Sequence, residues 1–250
     1  QGVLLFAGWR AIFGVFVLLT LILTAWLALR QPETLPAERR IPFTWRRIAG
    51  ALKEIVRSRV ALGYTLTAGL VSGAFIGYLN SAQQIFQDQY ALGELFPLIF
   101  ALVASAIGLA SFLNARLVMR YGMRFLVKWA LLAIFGLAIV GALVGLITAG
   151  QPVLPLFLAY LMLSFFCVGI LFGNMNALAM EPLGHIAGIG AAVVGSLSTF
   201  VSAFLGALIG QSYNGTVLPL ILGIAILAGL GLLVVAWVEK QPAAAKAPCH

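Results

Sequence analysis

Seven apolar runs dominate this sequence, at residues 11–29, 60–86, 93–115, 125–149, 153–178, 187–211 and 217–238. A helix of about 20 residues crosses roughly 30 Å of hydrocarbon, so each run is long enough to span a bilayer. Asp, Glu, Lys, Arg and His are absent from the run interiors; Glu94 and Lys128 stand near run ends. Barrel strands are about 10 residues long and alternate apolar with polar, a pattern these runs do not follow. Helices close their own backbone hydrogen bonds, which lipid cannot do for them. The expected fold class is therefore an all-α integral membrane protein with seven transmembrane helices.

Composition agrees: 62% of residues are hydrophobic, only 9% are charged, and the mean hydropathy is +1.08. A soluble domain carries roughly 25% charged residues, so little surface here is built for water. The net charge of +8 raises the question of nucleic acid, and the positions of the charges answer it. Threading the spans puts 14 of the 15 basic residues on one side, with Arg10 alone on the other. Lys and Arg collect in cytoplasmic loops. The chain is thus expected to start outside and end in the cytoplasm, with lipid and not nucleic acid as its polyanionic neighbour.

Four parts are expected along the chain: residues 1–29, residues 30–58, a six-helix bundle at 59–238, and a tail at 239–250. The apolar stub Gly2–Ala7 reads as the end of an earlier span, so further spans are expected upstream. In the 30–58 segment, Pro32 and Pro36 disfavour helix at first. Trp45, Ile48, Ala49, Leu52, Ile55 and Val56 then recur at helical spacing, with Arg46, Arg47, Lys53 and Arg57 opposite. Such a basic amphipathic helix suits either the membrane interface or a docked linker. Small residues recur four apart at Gly69-Gly73-Gly77, Gly141-Gly145, Gly169-Gly173 and Gly206-Gly210, which lets helices approach closely in lipid. Cys167 lies in a span and Cys249 in the tail, too far apart in this topology to pair.

Charge-free spans weaken several chemistries. An intramembrane hydrolase needs activated groups at depth, a retinal protein a buried Lys, and a proton relay an intramembrane acid or His. No enzymatic activity, cofactor or metal is expected. Uncharged polar groups remain. Tyr78, Asn80, Ser81, Gln83 and Gln84 crowd one end of the second span, while Phe165, Gly169, Gly173 and Asn176 share a face of the fifth. Tyr78, Asn80, Gln84, Phe165 and Asn176 are the candidates for lining a wet, aromatic-walled cavity; interhelical hydrogen bonding is the alternative. The residues alone also leave open a seven-helix receptor and a non-enzymatic channel or structural membrane subunit.

The loop after the third span is the most specific feature: Asn114-Ala115-Arg116-Leu117-Val118-Met119-Arg120-Tyr121-Gly122-Met123-Arg124. It resembles the repeated cytoplasmic signature Gly-x-x-x-Asp-Arg-x-Gly-Arg-Arg of the major facilitator superfamily. Arg120, Gly122 and Arg124 match its positions, while Ala115 and Met119 replace its first glycine and its acid. Gly8-Trp9-Arg10-Ala11-Ile12-Phe13 resembles the approach to the sixth span of the bicyclomycin/chloramphenicol-resistance (Bcr/CflA-type) drug:proton antiporters, and Gln31-Pro32-Glu33-Thr34-Leu35 its exit. The run Asn174 to Ser198, with Glu181-Pro182-Leu183-Gly184-His185, is similar to their tenth-to-eleventh span connection. The resemblance implies the sixth span plus the C-terminal six-helix bundle of a twelve-helix fold in a bacterial inner membrane. It implies alternating-access export of small amphiphilic drug-like molecules against protons, with the coupling acids in the N-terminal spans. Arg116, Arg120, Gly122 and Arg124 would form the cytoplasmic gating motif.

Overall fold

A computed structural model of the chain describes residues 8–32 and 44–240. The stub Gly2–Ala7, residues 33–35 of the expected exit, Pro36, Arg39, Arg40, Lys246 and Cys249 lie outside them. The described residues form eight α-helices: α1 (Trp9–Arg30), α2 (Trp45–Arg57), α3 (Arg59–Gln84), α4 (Phe96–Tyr121), α5 (Met123–Ile147), α6 (Leu154–Met180), α7 (Ala187–Gln211) and α8 (Leu218–Glu239). Seven are the expected spans and α2 is the expected amphipathic helix. Contacts divide the chain into two units, Gln1–Thr44 and Trp45–His250, so α2 belongs with the bundle. The α6–α7 stretch, Leu154–Gln211, is one apolar segment of 58 residues. As a single helix it would reach about 87 Å, far beyond a bilayer. A tight helical turn at Glu181–Ile186 breaks it into two spans.

Local chemistry sets the helix boundaries. Pro97, Pro155 and Pro219 sit in the first turns of α4, α6 and α8, where the missing N–H costs no intrahelical bond. The Ser58 hydroxyl caps α3 by accepting from the Ala61 N–H at 3.2 Å. At its other end α3 widens into a looser helical turn over Ile85–Gln89.

Helix α3 is the hub of the bundle, packing on α6, α7 and α8, and its contact with α7 is the most extensive. The two helices interleave. Gly69, Gly73 and Gly77 of α3 lie under Val201, Leu205 and Ile209 of α7, and Gly206 and Gly210 of α7 lie under Ile76 and Asn80 of α3. A Cβ on Gly77 would stand 2.8 Å from Ile209, and one on Gly210 2.6 Å from Asn80. Only glycine admits the partner side chain at that approach. Gly188 and Gly195, on the same stripe of α7, have no neighbour within 4 Å of a built Cβ, so only the half of the stripe running toward Gln211 interlocks.

One expectation changes here. Residues 114–124 read as a loop, yet α4 stays helical through Tyr121 and α5 starts at Met123. The connection is Gly122 alone, at φ +78°, a region that costs other L-residues energy. Hydropathy falls where charges begin, but Arg, Leu and Met remain good helix formers.

Candidate functional site

The bundle has two chemically distinct ends. At the basic end, Arg124 Nη2 donates to Glu181 Oε2 at 2.8 Å, tying the start of α5 to the α6–α7 turn. His185 Nε2 lies 2.8 Å from Glu54 Oε1, tying that turn to α2. The Arg59 guanidinium lies 4.4 Å over the Trp237 ring, joining the start of α3 to the end of α8. At the opposite end the connections hold one another through neutral hydrogen bonds. The Tyr90 hydroxyl donates to the Pro152 carbonyl at 2.7 Å, and the Gln89 amide to the Gly150 carbonyl at 3.1 Å. The Val217 N–H donates to the same Gly150 carbonyl. Burial raises the Tyr90 phenol to about 12. Partial burial and then the Asp88 carboxylate raise the Tyr213 phenol.

Four of the five predicted cavity residues separate into two groups. Tyr78 and Phe165 are buried, with ring centroids 4.7 Å apart in an edge contact. Tyr78 also stacks on Phe100 at 5.9 Å, and Phe75 meets Phe165 at 5.6 Å. These rings form an aromatic wall joining α3, α4 and α6. Asn80 and Gln84 are exposed on α3, two and six residues beyond Tyr78. The Asn80 amide donates to the Gly206 carbonyl at 3.1 Å, and the Tyr213 hydroxyl donates to the Gln84 carbonyl at 3.4 Å. Together they make a polar strip between α3 and α7; at about 100° per residue, Asn80 points away from the side of α3 that carries Tyr78. Asn176 is not part of this strip. It lies three turns along α6 from Phe165, about 16 Å away by helical rise, exposed, and donating to its own helix at Phe172.

The basic signature residues are exposed as a set. Arg116 lies 6.0 Å from the Phe112 ring and Arg120 5.3 Å from the Tyr121 ring. Only Arg124 makes an ion pair among the described residues of the motif. Sequence reasoning did not single out the part-buried pair in which the Asn174 amide donates to Asn114 Oδ1 at 2.8 Å, joining α6 to α4. The available signal was that an Asn within an apolar run needs a partner in lipid. Neither did it link Glu181 to Arg124, or His185 to Glu54, contacts that need the fold.

The described chain is a multi-pass, all-helical membrane protein. It belongs to the Major Facilitator Superfamily, which its residues 1–207 match. It is 30% identical over 209 residues to an uncharacterized MFS-type transporter, YdgK, of Bacillus subtilis, covering 82% of this chain and 50% of that protein. It is 26% identical over 220 residues to a bicyclomycin resistance protein homolog of Haemophilus influenzae, covering 86% of this chain and 54% of that one. The chain thus spans about half the length of these curated relatives. No solved structure matches it.

Proposed function

We propose that this bundle forms one wall of a secondary transporter that exports small amphiphilic drug-like molecules by proton antiport. The observation that carries the reading is the exposed pair of uncharged amides, Asn80 and Gln84, on the α3 span. Such amides would receive the polar group of an amphiphile, with the apolar span surface around them left for its body. The bicyclomycin resistance homolog among the relatives supports the substrate class. In this reading the partner bundle supplies the coupling acids, and the two bundles rock about the site. The basic end lies in the cytoplasm of a bacterial inner membrane, by the charge asymmetry. Arg116, Arg120, Gly122 and Arg124 act there in gating, with no drug contact.

The test is drug efflux from cells expressing the complete reading frame. Asn80→Ala and Gln84→Ala should each lower efflux of at least one substrate roughly fivefold to tenfold, the size of one lost hydrogen bond. Collapsing the proton gradient should stop efflux by the parent protein. Unchanged rates for every substrate, at equal expression, would remove both residues from the site. Loss of drug binding with intact cycling in Arg120→Ala would contradict the gating role.

A further inference from the structure

Helix α2 carries three faces. Ala51 and Ile55 are buried against the bundle, Ile55 completely, and the helices they meet are α3 and α7. At 3.6 residues per turn, Trp45, Leu52 and Val56 share the next face. All three are exposed, Trp45 to 79%. Arg46, Lys53 and Arg57 share a third face beyond them and are also exposed. Among the described residues none of these three cations forms an ion pair. A docked linker in water has no reason to expose three large apolar side chains beside an uncompensated basic stripe.

Where α2 lies decides what meets it. Only Ser58 separates it from Arg59, the first residue of the α3 span. At that level Arg59 stacks on Trp237 at 4.4 Å, and Arg120 lies 5.3 Å from the Tyr121 ring. Aromatic and basic residues together mark the headgroup layer of a bilayer. Helix α2 therefore leaves the bundle at headgroup depth.

We propose that α2 is a lipid-docking helix. Trp45, Leu52 and Val56 enter the headgroup layer of the leaflet at the basic end, and Arg46, Lys53 and Arg57 hold its anionic phosphates. Glu54, on the seam between the basic and bundle faces, reaches His185 in the α6–α7 turn. Lipid docking thereby restrains a connection between two spans. This inference rests on membrane insertion and not on the transported substrate.

The test uses the complete protein in vesicles of phosphatidylcholine, with and without phosphatidylglycerol. Single spin labels at Leu52→Cys and Gly50→Cys, with the native cysteines replaced, compare the apolar face with the water-facing side. In phosphatidylglycerol vesicles the label at 52 should collide with oxygen and be shielded from a water-soluble nickel relaxant, and the label at 50 the reverse. Removing one cation, as in Lys53→Ala, should lower bound phosphatidylglycerol in native mass spectrometry about fivefold. Equal nickel access at 52 and 50 would overturn the proposal. So would shielding of 52 from both relaxants, which means a protein surface covers it. The same immersion in pure phosphatidylcholine, with no change in bound lipid for Lys53→Ala, would overturn the anionic component.

Discussion

The end of the bundle that carries Gly150 and Pro152 is held by hydrogen bonds between uncharged groups, several of them aimed at backbone carbonyls. The basic end is held by the Arg124–Glu181 ion pair, with side chains 49% and 54% exposed, and by the His185–Glu54 contact. Between them lies the glycine interlock of α3 and α7, with no charge at all. These ties differ in what disturbs them. Steric interlock fails when volume is added, neutral hydrogen bonds when a partner is lost, and exposed ion pairs when salt screens them. A bundle built this way is rigid in its middle and adjustable at its basic end.

Four substitutions test that contrast. The largest effect belongs to Gly206→Leu, which forces a side chain into Ile76 and Gly77. Overpacking of this kind should cost about 3 kcal/mol, read as a lower unfolding midpoint in detergent that added salt does not restore. Next is Asn174→Ala, which leaves Asn114 without its cross-helix donor. A loss of about 1–2 kcal/mol is expected in the same assay, and an unchanged midpoint would make that pair incidental. Tyr90→Phe should cost about 1 kcal/mol at neutral pH for the lost bond to Pro152.

Tyr90 also sets a pH dependence. Its folded value of about 12 exceeds the ordinary 10, so the folded chain holds the proton longer than the unfolded chain. Its contribution is complete below pH 10 and is lost as pH rises toward about 12. Tyr90→Phe should flatten that stretch of the stability curve; an equally steep fall in the variant would assign it to other groups. The smallest effect is Arg124→Ala, below about 1 kcal/mol because the pair is half exposed. Its difference from the parent should vanish at high salt, and exchanging the charges as Arg124→Glu with Glu181→Arg should restore the midpoint. A large, salt-independent loss would place the basic end with the interlock.

Much of the fold was legible because a bilayer imposes one length and one polarity on every span. The run 187–211 coincides with α7, and 125–149 is displaced from α5 by two residues at each end. Legibility failed where helix and hydropathy part company. Helix α4 continues six residues past its apolar run, through Arg116 and Arg120, because helical bonding does not depend on apolarity. The candidate site was read in part. Tyr78 and Asn80 are two residues apart, yet a helix turns them to different surroundings, one into an aromatic wall and one onto the exposed strip. Phe165 and Asn176 share a stripe but differ in depth along the membrane normal, which periodicity does not report. The Glu54–His185 and Asn114–Asn174 contacts join distant parts of the chain, and no local spacing encodes them.

The α3–α7 interlock also sets an order of events during synthesis. Asn80 and the Gly206 carbonyl it holds are 126 residues apart. At about 5–20 residues per second, roughly 6–25 seconds pass between the emergence of one and the other. For that interval the glycine groove of α3 lies in the membrane with its counterpart unmade. The α3–α7 face closes only when α7 arrives, so a ribosome stalled before α7 leaves an open-sided intermediate exposed to membrane quality control.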